Sequence, residues 1–351
     1  VSHKGVPGVE FSTGSLGHGV AVACGLALAG KAKKKDYNVY AIIGDGVLSV
    51  ADIVAILYNE ELRYDVKNPK WEERDRVVLS KGHAGIAIYS ALAESGFFPI
   101  SELEKYYQIA VSKGCKYFIT TEHYDLDLVE HNCEWTVDFK NLKSELANLH
   151  KKYPSVVNLL GIEVGYQKRC LDRINEILSK ESFDLINLSI HSNDYVDYYW
   201  PKYYLKYGVN EVMNAYFDQM IEATSNFQNY DVLSHIDYAF KTTYLMDETK
   251  TTKLSIYEDK IKKVLNNLIK NDKTLELNTK VQQAIGDIEH TKYLLKLYKS
   301  LGGVNLTISS DSHSCERYLS GVEYYQQIAR ECGFDHLVYF VNRKRYNYQI
   351  K

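Results

Sequence analysis

The sequence lacks two features that would place it in familiar classes of protein. Its six cysteines lie far apart and form no Cys-x-x-Cys pair, a spacing that fits reduced thiols in a cytosolic protein better than a disulfide framework or a zinc knuckle. It also has no excess of basic residues, because 42 Lys and Arg oppose 45 Asp and Glu for a net charge of −3. A nucleic-acid-binding protein is therefore not expected.

Long apolar runs are missing as well. The longest, residues 19–30, is too short to span a bilayer, and the basic cluster at 31–35 follows this run, whereas a signal peptide carries its charge ahead of the apolar segment. No targeting signal stands at the start of the sequence. We therefore expect a cytoplasmic protein without a membrane segment, and the sequence leaves its oligomeric state open.

What is present indicates a globular protein in two parts. A length of 351 residues predicts two domains. Glycines crowd into residues 5–30, a strand is predicted at 39–43 and a helix at 49–64. Beyond residue 109, short apolar segments alternate with amphipathic ones, which is typical of a parallel α/β fold. Strands are predicted there at 117–120, 157–162, 185–189, 231–234, 274–277 and 305–309. Helices are predicted at 139–152, 171–179, 209–224, 256–270, 292–300 and 322–332.

Ionisable side chains follow five of the predicted strands. The carboxyl ends of parallel barrel strands meet at one rim, so we expect four imidazoles and two carboxylates to share a site. They are His123, Glu163, His191, His235, Asp311 and His313. This ligand mixture suits Zn, Mn or Fe, and clustered cations would lower the pKa of a bound water so that hydroxide attacks a phosphoryl group. The histidines at 131, 150, 290 and 336 are interpreted as capped or solvent-facing.

These segments resemble the PHP (polymerase and histidinol phosphatase) metallophosphoesterases, in particular the histidinol-phosphatase branch. The matching segments are residues 119–123, 161–165, 184–191, 235–237, 275–279, 302–303, 311–313 and 333–334. The resemblance covers about residues 109–351. It implies a distorted seven-stranded α/β barrel with up to three divalent metal ions, which hydrolyses L-histidinol phosphate, a small phosphate ester, to L-histidinol and phosphate.

The resemblance also implies roles for individual residues. One complete metal site would consist of Glu163, His191 and His235. A second site would use His123 and His313, and a third Asp311, with Glu163 as a bridging ligand.

Two further residues take their expected roles from the same resemblance. Lys241 stands where the branch places a basic residue that holds the substrate phosphate, although an exposed lysine is an equal alternative. Asp237 is expected to orient a metal ligand, not to bind the metal.

One departure from the family concerns its first strand. That strand ends in a His-x-His motif ahead of the segment that contains His123, and the sequence contains no His-x-His at all. Two of the three metal sites would then lack ligands, and the barrel would lack its first strand. A strand at 39–43 that fills the vacant place, with Asp45 as a substitute ligand, is one way to complete the site.

The first 108 residues resemble a different family, the thiamine-diphosphate-binding part of transketolase. Residues 7–19 and 44–46 match its diphosphate- and Mg²⁺-binding segments, and residues 49–53 and 80–84 match segments that precede these in transketolases. The two blocks, 1–46 and 47–108, are therefore in swapped order. The resemblance implies that Asp45 would bind Mg²⁺, that His83 would face the cofactor and that His18 would lie near it. The pyrimidine-binding domain with its catalytic glutamate is absent.

The sequence thus predicts a chimera of a permuted transketolase fragment, 1–108, and a PHP-like domain, 109–351. Three interpretations remain open. The chain is a metal-dependent phosphatase of the histidinol-phosphatase type, a thiamine-diphosphate protein of the transketolase type, or a non-catalytic metal-binding chimera.

Overall fold

A computed structural model of the chain describes residues 9–12, parts of 22–35, 37–42, 57–68, 71–79, 102–129, 133–246 and 251–350. The chain divides into two compact units, Val1–Glu102 and Leu103–Lys351.

The described strands of the first unit form a small parallel sheet. They are β1 (Val9–Ser12), β2 (Val39–Ile42) and β3 (Arg76–Leu79), in the order β1-β3-β2. The strand predicted at 39–43 is therefore present as β2, but it pairs with β3 and does not complete the sheet of the second unit. The helix predicted at 49–64 is described only as a π-helical turn, Leu57–Glu61, and the residues that follow it are not helical.

The second unit contains nine of the described strands. Seven belong to one sheet and two form a hairpin near the C-terminus. They are β4 (Tyr117–Leu128), β5 (Cys133–Trp135), β6 (Val157–Gly165), β7 (Leu185–Ser189), β8 (Val232–Leu233), β9 (Thr274–Asn278), β10 (Leu306–Ser309), β11 (His336–Val341) and β12 (Lys344–Gln349).

Helices connect the strands of this unit, and several begin at side-chain caps. Asp138, Asn278 and Asp287 each accept a hydrogen bond from a backbone N–H in the first turn of the helix that follows. The described helices are α1 (Glu102–Ser112), α2 (Phe139–Lys152), α3 (Leu171–Lys180), α4 (Pro201–Tyr207), α5 (Val209–Asn226), α6 (Tyr238–Met246), α7 (Glu258–Lys270), α8 (Thr279–Ile285), α9 (Ile288–Ser300) and α10 (Val322–Glu331).

The large sheet has the order β10-β9-β8-β7-β6-β4-β5, and every pair in it is parallel except β4 with β5. The predicted α/β architecture is thus confirmed. Among the described residues, β10 has a strand partner on one side only, as expected for a barrel without its first strand.

Helix α1 contacts strand β4 and the segment that follows β10. The ring of Tyr106 lies 6.2 Å from Phe118 of β4 and 5.4 Å from Tyr318, which follows β10 in the chain. Tyr107, fully buried, lies 4.6 Å from Phe118. The apolar face of α1 therefore packs across the region between β4 and the segment beyond β10.

The amino-terminal ends of the barrel strands are covered by the β11–β12 hairpin. Val338 and Phe340 pack against Val232, at the start of β8. Asp184, just before β7, accepts hydrogen bonds from the backbone N–H groups of Leu160 and Asn342, which ties the hairpin turn to the sheet. The opposite, carboxyl ends of the strands carry the ionisable residues.

Candidate metal centre

His123 and Glu163 face each other across two neighbouring strands. The parallel register of β4 and β6 pairs His123 with Glu163 and, two residues on, Asp125 with Gly165. Side chains two residues apart in a strand share a face, so His123 and Asp125 project towards the same side. Strand β4 is eight residues longer than predicted, which places His123 inside a strand and not after it.

His191 and His235 approach Glu163 from the next two strands. His191 follows β7 and His235 follows β8. Nε2 of His235 lies 2.9 Å and Nε2 of His191 3.4 Å from Oε1 of Glu163, and the two Nε2 atoms are 3.4 Å apart. All three residues are buried. Ser189 donates a further hydrogen bond to Oε1 of Glu163, at 2.5 Å.

This geometry matches the requirements of a divalent cation. Ligand atoms in a tetrahedral zinc site lie about 2.1 Å from the ion and hence about 3.4 Å from one another. Two imidazole nitrogens that face each other beside a carboxylate need a cation or a proton between them. Glu163, His191 and His235 therefore fit a metal ion.

His123 extends the cluster towards the half-exposed side of the site. Its Nε2 atom lies 3.8 Å from Oε2 of Glu163, and ligand atoms of His123, Glu163 and His191 all lie within 4.8 Å of one another. The ring of Trp135 packs edge-on against His123, with 5.5 Å between ring centroids. Glu163 thus offers one oxygen to His191 and His235 and the other to His123.

Asp311 and His313 lie at the edge of the cluster. The ring of His313 is 5.8 Å from that of His123. Nζ of Lys280 lies 3.3 Å from Oδ2 of Asp311 and 2.8 Å from Nδ1 of His313. An ammonium group therefore lies beside both Asp311 and His313. Lys280 is not among the site residues predicted from the sequence.

Two buried carboxylates of the site were also missed. Asp125 accepts hydrogen bonds from His123 and His191, and Glu276 accepts one from the backbone N–H of His235. Each of these carboxylates alternates with other polar residues along its strand. This two-residue period is the sequence signal that could have identified them as part of the site. Burial raises the pKa of Glu276, whereas the imidazoles, His191 first, overcome the effect of burial and lower the pKa of Asp125 to about 2.

The carboxylates and imidazoles of the centre stabilise one another's charges. Burial alone would raise the pKa of Glu163, but the neighbouring imidazoles hold it well below its ordinary value. Burial alone would lower the pKa of His191, but Asp125 and Glu163 raise it well above the ordinary value. Positive charge at this position is therefore stabilised by the carboxylates.

Lys241 lies beside the centre in an aromatic cage. Its Nζ atom is 4.4 Å from the ring centroid of Tyr238 and 4.6 Å from that of Tyr199. Burial and the repulsion of Lys280 lower its pKa to about 8. The alternative of an exposed lysine is wrong, because Lys241 is buried.

Asp237 forms buried hydrogen bonds with Gln282 and His290. Its Oδ2 atom accepts hydrogen bonds from Gln282 at 2.6 Å and from His290 at 3.1 Å. The interpretation of His290 as capped or solvent-facing is wrong, because its side chain is buried against Asp237. The role of Asp237 in orienting a ligand stays a prediction. The residues expected near thiamine diphosphate, His18, Asp45 and His83, lie outside the described residues.

Comparison with known proteins shows the family of the chain. The PHP domain model matches residues 100–280, just over half of the chain. The chain belongs to the PHP domain family. A probable histidinol-phosphatase of Clostridium acetobutylicum is 30% identical over 195 residues, which are 56% of this chain and 74% of that protein.

The fold of the PHP domain also matches a solved structure. Histidinol phosphate phosphatase from Lactococcus lactis, crystallised with zinc, L-histidinol and phosphate, superposes with a TM-score of 0.62 at 22% identity. The match covers 69% of this chain and 91% of the other.

A second match lies ahead of the PHP domain. The model of the transketolase thiamine diphosphate binding domain matches residues 44–116, so the two matches share residues 100–116. The 6-deoxy-6-sulfo-D-fructose transketolase subunit SqwG of Clostridium sp. is 52% identical over 59 residues, but these are only 22% of that protein. The predicted resemblance to both families is confirmed. Among the described residues, no helix combines the length and the hydropathy that a membrane span requires.

Proposed function

We propose that the chain is a metal-dependent phosphomonoester hydrolase of the histidinol-phosphatase type. The observation that carries this proposal is the convergence of Glu163, His191 and His235, whose ligand atoms lie 2.9–3.4 Å apart. The names of the relatives support L-histidinol phosphate as the substrate.

Each ligand residue has a defined task in this proposal. Glu163, His191 and His235 would hold one divalent cation, and His123 and Glu163 would hold a second. Such cations polarise a phosphoryl oxygen and lower the pKa of bound water. His313 and Asp311 contribute to the side of the centre that Lys280 faces. Zinc, manganese and iron all suit this donor set, and the zinc in the Lactococcus structure makes zinc the first metal to test.

Lys241 is proposed to hold the substrate phosphate. Its ammonium group is enclosed by the faces of Tyr199 and Tyr238, which fix its position without neutralising its charge. A buried cation without a salt-bridge partner among the described residues is favourable for a phosphate dianion, because the ion pair forms in a medium of low dielectric constant.

The direct test is phosphate release from L-histidinol phosphate by the zinc- or manganese-reconstituted full chain. Wild-type protein is expected to turn over the substrate, and His191→Ala is expected to reduce release to the level of the buffer blank. His336→Ala is the matched control, because the side chain of His336 pairs with the neighbouring Asp335 in the C-terminal hairpin. A folded, metal-loaded wild-type protein without turnover would favour the non-catalytic metal-binding alternative.

We further propose that residues 1–108 and 109–351 are separate parts of one chimeric chain. The two family matches and the two compact units support two parts, with the units divided at 102/103 and the matches overlapping at residues 100–116. Limited proteolysis of the full chain should leave a resistant fragment that begins close to residue 103, and a first cut inside residues 113–351 would contradict the proposal.

We propose that thiamine diphosphate takes no part in the chemistry of this chain. The proposed hydrolysis needs only a metal-activated water, to which thiamine diphosphate adds no chemical group. Titration with thiamine diphosphate and Mg²⁺, followed by calorimetry and tryptophan fluorescence, should give no saturable signal. Saturable micromolar binding would revive the transketolase-type alternative.

A further inference from the structure

One carboxylate lies between two of the proposed metal ligands. Oδ1 of Asp125 is 2.7 Å from Nδ1 of His191, and Oδ2 is 3.0 Å from Nδ1 of His123. The side chain of Asp125 is 2% exposed, so water cannot replace either imidazole as its partner. Each oxygen of this carboxylate serves a different histidine.

These contacts determine which nitrogen of each ring is free for a metal. An ionised carboxylate only accepts hydrogen bonds, so Nδ1 of both imidazoles must donate. The lone pair of each neutral ring is then on Nε2. In both rings that atom faces Glu163, at 3.4 Å for His191 and 3.8 Å for His123. A single aspartate therefore selects the tautomer of a ligand on each side of Glu163.

The position of Asp125 depends on the glycine opposite. The β4–β6 register pairs Asp125 with Gly165, and a Cβ atom at residue 165 would lie 1.7 Å from Oδ1 of Asp125. No side chain can occupy position 165 while Asp125 keeps this conformation. Gly165 provides the space in which the carboxylate reaches both imidazoles.

We propose that Asp125 is a positioning residue shared by the two cation positions, and that Gly165 is its obligate partner. The inference rests on the ligand set proposed above. It assigns no contact with substrate to Asp125, which acts through the orientation and tautomer of His123 and His191. Carboxylate partners of metal-bound histidines typically contribute 10–100-fold to metal affinity, and here one carboxylate supports two such ligands.

The experiment measures zinc affinity of the full chain by calorimetry against a competing chelator. Asp125→Ala should weaken binding about 100-fold, and Asp125→Asn about 10-fold, because the amide oxygen retains one acceptor. Asp127→Asn is the matched control: it makes the same substitution on the same strand at a residue that pairs with Arg169, and its affinity should equal that of wild type.

Gly165 allows a sharper test. Gly165→Ala should weaken zinc binding as much as Asp125→Ala, although it removes no polar group. The double variant Gly165→Ala/Asp125→Ala should be no weaker than Asp125→Ala alone, since the added methyl group then has nothing to displace. Additive losses in the double variant, or wild-type affinity in Asp125→Ala, would overturn the proposal.

A measurement on the wild-type protein covers the case in which a variant does not fold. Long-range ¹H–¹⁵N NMR of the zinc-loaded chain should show His123 and His191 protonated at Nδ1 and metal-bound at Nε2, and metal bound through Nδ1 of either ring would contradict the assignment. Neither the zinc affinity nor the NMR measurement depends on turnover of substrate. Zinc binding with the predicted variant pattern, but without phosphate release, would refute the proposed function and leave this inference intact.

Discussion

The backbone N–H of His235 donates a hydrogen bond to Oε2 of Glu276 at 2.8 Å. His235 has a backbone φ of +24°, a conformation that non-glycine residues rarely adopt. Glu276 is itself held by hydrogen bonds from Ser309 and Asn278. A buried carboxylate on β9 thus fixes the main chain of a ligand that follows β8 through a backbone hydrogen bond.

This relationship predicts the effect of two substitutions at Glu276. Glu276→Ala leaves the N–H of His235 without its acceptor, so the free energy of unfolding should fall by about 1–3 kcal/mol. Zinc affinity should fall about 10-fold or more because His235 is no longer fixed. Glu276→Gln keeps an acceptor oxygen and should be closer to wild type in both measurements. Equal zinc affinity in Glu276→Ala and wild type would show that β8 alone positions His235.

The low pKa of Lys241 predicts a pH dependence of substrate binding. Because this pKa is about 8, the amine loses its charge as the pH rises through 8 and regains it below. The value of kcat/KM for L-histidinol phosphate, which reports on the free enzyme, should therefore decline above pH 8. Lys241→Met should lower kcat/KM and abolish this decline, whereas Lys241→Arg should retain activity at pH 9. An unchanged alkaline limb in Lys241→Met would assign the decline to another group.

The position of Lys280 predicts that its ammonium group competes with a metal ion. Its Nζ atom lies 3.3 Å from Asp311, so Lys280→Met removes a positive charge from the Asp311–His313 side of the centre. The number of zinc ions bound per chain at a fixed free concentration should rise, as measured by equilibrium dialysis. Lys260→Met, which breaks the surface pair with Asp218, is the control and should not change it. A lower zinc content in Lys280→Met would be contrary to this expectation.

The contacts of Asp184 predict a loss of stability far from the metal centre. Asp184→Ala removes the acceptors of Leu160 N–H and Asn342 N–H and should lower the free energy of unfolding by about 1–3 kcal/mol, measured by urea denaturation. Asp218→Ala should change it by less than about 1 kcal/mol, because its pair with Lys260 is exposed. Zinc affinity should be the same in both variants.

Much of the second unit could be predicted because its signals are local. The strand at 185–189 and the helix at 139–152 have the predicted bounds, since apolar periodicity and flanking polar residues determine such elements. The short helices α4, α6 and α8 were missed. Their sequences carry little periodic contrast, and α6 is buried on most of its surface. Neither strand of the antiparallel β11–β12 hairpin was predicted. Only packing against the sheet distinguishes these two segments from an irregular chain terminus.

The sequence by itself determined which chemical groups lie in or just after which strands, and hence that His123, Glu163, His191 and His235 belong to one site. Only the tertiary structure decided which atoms meet. Strand register placed Gly165 opposite Asp125 and brought Glu276 to the main chain of His235, and these contacts join residues far apart in sequence. Their energies depend on distances of a few tenths of an ångström and on the exclusion of water, which no local pattern of residues encodes.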